Sequence, residues 1–180
     1  MIWIYRLLFL PGLLVLLPAY LVRMFRRGGY RTQFGNRFGR MPALPPRGER
    51  RRAWVHAVSV GETLAIAPVV HELYRRGVEV FFTTTTTTAF AVARDRLAAE
   101  TIGIGYFPLD FLPFTRAAWR RVQPDLVVLT EGEFWPEFLR CARKNGTPVV
   151  SVNARLSDRS FGRLRRVPWL ARWWAGGVDR

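Results

Sequence analysis

The stretch DLVVLTEGEFWP, residues 125–136, decides the fold predicted for this 180-residue chain. Its first half is an almost continuous run of aliphatic and β-branched residues without a polar face, which is typical of a strand buried on both sides in a parallel sheet. The stretch turns polar at Glu131, and Pro136 is well placed to begin a helix. A strand that leads through a short loop into a helix is the repeating unit of an α/β domain.

The same alternation continues on both sides of this stretch. Strands are predicted at 53–58, 78–83, 102–106, 125–130 and 148–152, and helices at 63–76, 89–99, 113–122 and 136–145. Because the strands lack a polar face and alternate with helices, the sequence predicts a Rossmann-like α/β domain. It should contain a parallel sheet of about five strands with helices on both faces.

The N-terminal residues have a different composition. Residues 2–22 are apolar apart from Arg6, and their length suits one membrane-spanning helix. Arg6 is expected to extend its side chain to the lipid headgroups. The run ends in bulky basic residues without a small-residue cleavage site, which favours a membrane anchor over a cleaved signal peptide or a buried core helix. The sequence does not decide whether this segment spans the bilayer or is only embedded in it.

Three segments follow from this pattern. Residues 1–27 are predicted to be a membrane anchor with its basic flank, and residues 28–52 a membrane-proximal segment and linker. Residues 53–180 form the predicted Rossmann-like domain. The linker prediction depends on residues 40–52, which have no hydrophobic period and are interrupted by Pro42, Pro45, Pro46 and Gly48.

The charge indicates an anionic partner. The formal net charge is +15, and 27 of the 28 basic residues are Arg, whose planar guanidinium matches phosphate and carboxylate groups. A bias toward Arg codons would explain the scarcity of Lys but not the excess over 13 acidic residues. Nucleic acid is disfavoured because the Arg residues cluster beside the apolar segment and after Arg155, and no nucleic-acid-binding motif occurs. With one cysteine, Cys141, and two histidines, neither a disulfide framework nor a zinc site is expected.

The loops that follow the strands are the candidate sites, because ligands of open parallel sheets bind beyond the carboxyl ends of the strands. The turn Ser59-Val60-Gly61-Glu62 follows the first strand. Gly61 allows a tight turn and the close approach of a ligand, and Glu62 falls at a helix start, where the dipole favours a carboxylate. Since Glu is common in a first helical turn, this spacing alone favours a structural role. The glycine pattern of a dinucleotide site is absent.

The acidic loop after the fourth strand is a sharper signal. Glu131 and Glu133 lie directly beyond the most apolar strand, and Phe134 and Trp135 follow them. Carboxylates beside apolar rings can have their pKa values pushed apart, which suits acid–base chemistry or the binding of a hydroxyl group. Alternatively, one Glu caps the next helix while the other is solvated, and the spacing does not separate these alternatives.

Two further loops carry hydrogen-bonding groups. The six threonines at 83–88 end the second strand, with Thr84 and Thr86 as candidate ligand contacts. The segment Asn153-Ala154-Arg155-Leu156-Ser157 ends the fifth strand, and it combines one fixed charge with groups that suit an anion or a sugar hydroxyl.

In this order, the four loops resemble those of the Kdo transferase family, enzymes that transfer 3-deoxy-D-manno-oct-2-ulosonic acid (Kdo) to lipid A. That family has a Ser-Val-Gly-Glu turn, a Thr-rich strand end, a Glu-x-Glu-aromatic/Leu-Trp-Pro loop and an Asn-Ala-Arg-Leu-Ser segment. These motifs are similar to residues 59–62, 83–88, 131–136 and 153–157, and Tyr30-Arg31 with residues 34–39 resemble the family's segment after the anchor. The resemblance runs from about Tyr30 to Phe161. It departs at Gly132, where family members carry Thr or a similar residue.

The resemblance implies the N-terminal, acceptor-binding half of a GT-B glycosyltransferase. Such an enzyme transfers Kdo with inversion from CMP-Kdo to lipid A or its precursor lipid IVA, in synthesis of the lipopolysaccharide core. Glu62 is implied to be the general base and Glu131 to stabilise the transition state. The other candidate substrate contacts in these loops are Ser59, Gly61, Thr84, Thr86, Glu133, Trp135, Asn153, Arg155 and Ser157.

The resemblance also implies a location and partners. The protein is expected at the cytoplasmic face of the bacterial inner membrane, held by one N-terminal anchor, with anionic lipid, a lipid A precursor and CMP-Kdo as partners. Neither a cofactor nor a metal is expected, because cytidine monophosphate is a sufficient leaving group. A donor domain should follow Arg180, so these residues alone should bind the acceptor without completing transfer. The alternative is a non-catalytic module that keeps the lipid A-binding cleft.

Overall fold

The computed structural model describes residues 1–26, 32–132, 134–154, 165–169 and 178–179. The chain begins with helix α1 and a short 3-10 helix at Phe34–Phe38. Strands and helices then alternate, and a second 3-10 helix, Ala98–Glu100, follows α3. The elements are α1 (Ile2–Arg26), β1 (Arg52–Ala57), α2 (Val60–Arg75), β2 (Glu79–Thr84), α3 (Thr87–Leu97), β3 (Gly103–Tyr106), α4 (Leu112–Val122), β4 (Leu126–Thr130), α5 (Pro136–Lys144) and β5 (Val149–Val152).

The five strands form one parallel sheet in the order β3-β2-β1-β4-β5, which confirms the predicted fold class. β1 is the central strand, and Val55 pairs with Phe82 on one side and with Val128 on the other. The chain fills one half of the sheet through β2 and β3 and the other half through β4 and β5. The connections after β1 and β4 therefore run to opposite sides. In this topology the crevice between the carboxyl ends of two such strands, here the β1/β4 crevice, is the usual ligand position.

Helices cover both faces of the sheet. Trp54, fully buried on β1, contacts Trp119 of α4 and Phe138 of α5. On the other face, Val55 belongs to a second buried cluster with Ile66 of α2 and residues of α3. Alternate strand residues thus face opposite helix layers, and burial of each large side chain stabilises the fold by about 1.5–3 kcal/mol.

Two helices begin earlier than the sequence pattern predicts. α2 begins at Val60 because Ser59 caps it, its side chain accepting a hydrogen bond from the Glu62 backbone N–H. α3 begins at Thr87 because Thr86 accepts from the Ala89 N–H in the same way. These caps satisfy backbone donors that would otherwise be unpaired, and so they outweigh the weak helix propensity of glycine and threonine nearby.

The N-terminal segments contact the α/β domain. Within residues 28–52, assigned to a membrane-proximal segment and linker, Asn36, Arg37 and Met41 are buried. The expectation that Arg6 reaches the lipid headgroups is wrong, because its guanidinium donates to Glu137, a fully buried carboxylate that needs a cationic partner. No helix in the described ranges alone meets the length and hydropathy expected of a membrane span. The pair Ile2–Phe9 and Pro11–Ala19, bent by 43°, meets them together.

Candidate active site

Glu62 lies at the carboxyl end of β1, in the first turn of α2, and only 9% of it is exposed. Its carboxylate accepts three hydrogen bonds. Oε2 accepts from the Val58 N–H at 2.9 Å and from the Thr130 hydroxyl at 2.6 Å, and Oε1 accepts from the Ser59 hydroxyl at 2.7 Å. These bonds hold the carboxylate in one orientation between the ends of β1 and β4.

Among the described residues, the hydrogen bonds to the Glu62 carboxylate leave one of its acceptor positions unused. An ionised carboxylate offers about four lone-pair directions, two on each oxygen. Both directions of Oε2 are taken, whereas Oε1 accepts one hydrogen bond from a described residue, that of Ser59. Oε1 can therefore accept one further hydrogen bond, and a hydroxyl group is a suitable donor.

The pKa of Glu62 is lowered from its ordinary value. Burial acts to raise this pKa, but hydrogen bonds from Thr130, Val58 and Ser59, which favour the charged form, outweigh it. Glu62 is therefore ionised at neutral pH, the protonation state that a general base requires.

The Thr130 hydroxyl joins the two candidate loops. Thr130 is the last residue of β4 and pairs with Val152 of β5. Its Oγ1 lies 2.6 Å from the Glu62 Oε2 and 3.1 Å from the His56 carbonyl oxygen. Sequence reasoning did not single out this residue. The available signal was a polar residue at the end of an otherwise apolar strand, directly before Glu131.

Glu131 has an unusual backbone conformation. Its φ is 56°, in the left-handed region, which non-glycine residues seldom adopt. Two hydrogen bonds to β5 hold it there: its N–H donates to the Val152 carbonyl, and its carbonyl accepts from the Ser151 hydroxyl at 2.6 Å. Strained residues held by their surroundings are frequent at functional sites, so this conformation makes the Glu131 loop a candidate on structural grounds.

Gly61 is not needed for a tight turn, the first of the two roles that the sequence suggests for it. Its φ is not positive, and a Cβ placed there would meet only the Ser59 Oγ, at 4.0 Å. The absent side chain therefore leaves open space beside Glu62, which fits the other interpretation, the close approach of a ligand. A Cβ at Gly132 would likewise lie in open space.

The two candidate threonines are engaged in the fold. Thr84 is buried in β2 and its hydroxyl donates to the Val58 carbonyl. The Thr86 hydroxyl, which caps α3, also lies 3.3 Å from the Val58 carbonyl oxygen. Val58 in turn donates its N–H to Glu62, so both threonines support the backbone next to that carboxylate.

Two of the remaining candidate residues lie in the part of the chain that the structure describes, and three do not. Trp135 is half-buried against Phe107, with no hydrogen-bond partner for its Nε1 in the described part of the chain. Asn153 is exposed beyond β5 with a φ of 57°. Other candidates lie outside the described residues, namely Glu133, Arg155 and Ser157.

His56 is a buried titratable group beneath this site. Its ring stacks on Phe107 with centroids 4.0 Å apart, and its Nδ1 lies 3.0 Å from the Thr83 carbonyl oxygen. Burial lowers the pKa of His56 to about 4, so the ring is neutral at physiological pH. Across the described ranges, no group of three or more His, Cys, Asp or Glu side chains is arranged to hold a metal ion.

The resemblance of the four loops to one family agrees with the comparison to known sequences. The sequence model of 3-deoxy-D-manno-octulosonic-acid transferases matches residues 32–180. The chain belongs to the Kdo transferase family. Its Bordetella pertussis relative, a 3-deoxy-D-manno-octulosonic acid transferase, is 39% identical over 181 residues, which cover 95% of this chain and 41% of that protein.

Other relatives agree. The Kdo transferase of Chlamydia trachomatis serovar D is 29% identical over 164 residues, covering 90% of this chain and 38% of that protein. The chain thus spans about 40% of the length of these curated relatives.

Two solved structures resemble the fold. UDP-GlcNAc 2-epimerase from Neisseria meningitidis has a TM-score of 0.47 at 14% identity, covering 71% of this chain and 39% of that one. Acinetobacter baumannii MurG has a TM-score of 0.46 at 19% identity, covering 66% and 39%. These likenesses concern the fold alone.

Proposed function

We propose that this chain is the acceptor-binding half of a GT-B glycosyltransferase. The enzyme transfers Kdo from CMP-Kdo to a lipid A precursor with inversion at the anomeric carbon. The observation that carries the proposal is the Glu62 carboxylate, which is ionised, fixed by three hydrogen bonds and left with one free acceptor position at the β1/β4 crevice. Membership of the Kdo transferase family supports the choice of sugar.

Glu62 acts as the general base. A sugar hydroxyl of the acceptor donates a hydrogen bond to the free position on Oε1, and its oxygen attacks the anomeric carbon of Kdo. As that bond forms, the proton passes to Glu62 and the bond from the anomeric carbon to the phosphate oxygen breaks, so that its electron pair leaves with cytidine monophosphate. The three existing hydrogen bonds hold the carboxylate in place, which reduces the entropic cost of aligning the reactants.

Glu131 stabilises the transition state from the other side of the crevice. Its backbone follows directly on Thr130, the residue that donates to Glu62, and the bonds to Val152 and Ser151 fix that backbone. A carboxylate near the anomeric carbon favours the positive charge that develops there when the leaving group departs.

The other loop residues contact the substrates. Ser59 orients Glu62, and Gly61 leaves room for the acceptor next to it. Trp135 is half-buried, and the exposed part of its ring suits contact with the apolar face of a sugar. Thr84 and Thr86 support the Val58 backbone next to Glu62, and the remaining proposed contacts are Glu133, Asn153, Arg155 and Ser157.

The donor and the membrane complete the proposal. CMP-Kdo is bound by a donor domain of the complete protein, since this chain spans about 40% of the length of its relatives. The protein works at the cytoplasmic face of the inner membrane, where the apolar residues of α1 contact lipid and the net charge of +15 attracts the anionic acceptor.

Replacement of the base tests the mechanism. In the complete enzyme, we expect Glu62→Gln to lower kcat by about a hundredfold or more, because a positioned general base contributes roughly that factor. The matched control is Glu72→Gln, the same change at an exposed position of the same helix, where the carboxylate pairs with Arg76. If the Glu62→Gln enzyme has unchanged helical circular dichroism and transfers Kdo at the wild-type rate, Glu62 is not the general base.

One observation favours a second candidate, a lipid A-binding module without catalysis. The Ser59 hydroxyl accepts the Glu62 backbone N–H and donates to the Glu62 carboxylate, which resembles a helix-capping box, a structural arrangement. Addition of a separately expressed donor domain separates the two candidates. Transfer of Kdo supports the enzyme, whereas retained lipid A binding without transfer supports the module.

A further inference from the structure

Helix α1 carries a stripe of exposed apolar side chains. Trp3, Leu7 and Val15 are 74%, 75% and 78% exposed, respectively. They are four and eight positions apart, which places them on one helix face. The stripe consists of Trp3, Ile4, Leu7, Leu8, Leu14, Val15 and Val22, and the exposed Leu16 borders it. A continuous apolar surface of this length marks a contact with another apolar phase.

The first turns of α1 are docked on the α/β domain through another face. The Tyr5 hydroxyl donates to the Asp110 Oδ2 at 2.8 Å. Arg6 donates to both carboxylate oxygens of Glu137, with its Nη2 3.1 Å from Oε2. The Phe9 ring stacks on Phe111, with centroids 5.3 Å apart and the ring planes 3° from parallel.

The two buried carboxylates, Asp110 and Glu137, hold α1 on the α/β domain. Asp110 is 3% exposed and Glu137 is fully buried, and Asp110 also accepts the backbone N–H groups of Glu137 and Phe138. A buried carboxylate that loses its only cation is strongly destabilising. Lifting α1 away would strip Arg6 from Glu137, so the first nine residues stay on the domain.

We propose that α1 lies along the surface of the bilayer instead of crossing it. The apolar stripe is immersed among the lipid chains, while the face with Tyr5, Arg6 and Phe9 rests on the α/β domain. The N-terminus then lies on the same side of the membrane as the domain. In-plane helices of this kind combine a buried apolar face with basic residues at the headgroups.

The charge pattern indicates that a lipid bilayer covers the apolar stripe. The stripe contains no charged residue, and four arginines follow it within nine positions: Arg23, Arg26, Arg27 and Arg31. A bilayer with anionic headgroups matches this pattern, because its lipid chains contact the apolar residues and its headgroups attract the arginines.

The position of α1 also brings it near the β1/β4 crevice. Asp110 follows β3 and Glu137 begins α5, so α1 docks near the carboxyl edge of the sheet, the edge where Glu62 lies. The inference deepens the membrane location proposed above. It rests on the contacts of α1, so its failure would leave the Glu62 chemistry untouched.

The position of the N-terminus tests the orientation. A protease-cleavable peptide is fused ahead of Met1 in a Gram-negative host, and protease is added to spheroplasts or to inverted inner-membrane vesicles. We expect cleavage in inverted vesicles and protection in spheroplasts. Cleavage in spheroplasts would place the N-terminus in the periplasm and overturn the proposal. A second cleavable peptide after Arg180 reports the side on which the domain lies.

The stripe is tested with vesicles of mixed zwitterionic and anionic phospholipid. Leu7→Glu combined with Val15→Glu should weaken partition of the chain into these vesicles by about tenfold or more, because charge is excluded from the apolar layer. Tyr74→Glu, at a 52% exposed apolar site on α2, is the control and should partition as wild type. Equal partition of all three proteins would overturn the proposal. So would a dimer in detergent that only the stripe variant dissociates, because the occupant would then be a second copy.

Discussion

Glu62 shows how one side chain serves both the fold and the proposed chemistry. Its reciprocal bonds with Ser59 cap α2, and its bond to Thr130 ties that helix to β4. The same three donors that stabilise its charge also weaken it as a base, because a lowered pKa reduces the driving force for proton uptake. The Thr130 hydroxyl can reduce this cost. Once a proton has moved to Oε1, that hydroxyl can donate to the His56 carbonyl oxygen instead of to Oε2.

Replacement of Thr130 should raise the pKa of Glu62. In Thr130→Val the carboxylate loses its shortest hydrogen bond, while the shape of the side chain is retained. Because the folded pKa of Glu62 is depressed, Glu62 contributes stability above its unfolded pKa and loses it as the pH falls through the folded pKa. The variant should lose about 1.5–3 kcal/mol of that contribution at neutral pH.

Two measurements check this prediction. A carbon-13 titration of the Glu62 carboxyl should show a higher midpoint in Thr130→Val, and the acidic limb of the pH–rate profile of the complete enzyme should move to higher pH. Thr130→Ser keeps the hydroxyl and should restore both. An unchanged midpoint in the valine variant would show that Thr130 does not act on Glu62.

At the scale of the elements, α1 and the α/β domain depend on each other through an ion pair. Arg6 neutralises Glu137, and Glu137 belongs to the first turn of α5, next to the loop that carries Glu131. The placement of α1 is therefore coupled to the helix that follows the candidate site.

A double-mutant cycle measures this coupling. Arg6→Leu should lower the free energy of unfolding by about 3 kcal/mol or more, because it leaves a buried carboxylate without a cation. Glu137→Leu should cost less, since Arg6 can turn to solvent, and the double variant should recover most of the loss. Urea unfolding of the four proteins in detergent gives the interaction energy. If the single-variant effects simply add, the ion pair does not hold α1.

At the scale of the whole molecule, Asp110 shapes the dependence of stability on pH. Burial raises the pKa of Asp110 from its ordinary 3.8 to about 6, although hydrogen bonds from Glu137, Tyr5 and Phe138 oppose that rise. A raised folded pKa gives stability that is complete below the unfolded pKa and is lost as the pH rises through the folded pKa. We therefore expect this group to lower the free energy of unfolding by about 2 kcal/mol between about pH 4 and about pH 7.5.

Comparison with Asp110→Asn isolates this contribution from that of Glu62, which has the opposite sign. Urea unfolding at the two pH values should show that wild type loses stability relative to the variant as the pH rises. A constant difference between the two proteins would contradict the prediction.

The sequence predicted the order of the elements well, because buried parallel strands are distinguished by apolar runs that local composition reveals. It did not predict which strands are neighbours. The contact of Glu62 with Thr130 depends on β1 lying beside β4, and that adjacency comes from tertiary packing. The docking of α1 was also missed, since Asp110 and Glu137 are ordinary helix-start residues by sequence and only their burial reveals a need for partners.

Both outer strands of the sheet are partly covered by groups from outside the sheet. On β3, the Tyr106 N–H donates to the Asn36 side chain, and Leu44 lies against Gly103. On β5, Val149 exchanges two hydrogen bonds with Asp179. Exposed strand borders recruit strands from other chains and so promote aggregation. At the proposed membrane location, where copies of the protein would meet often, these contacts would reduce pairing between the sheets of neighbouring molecules.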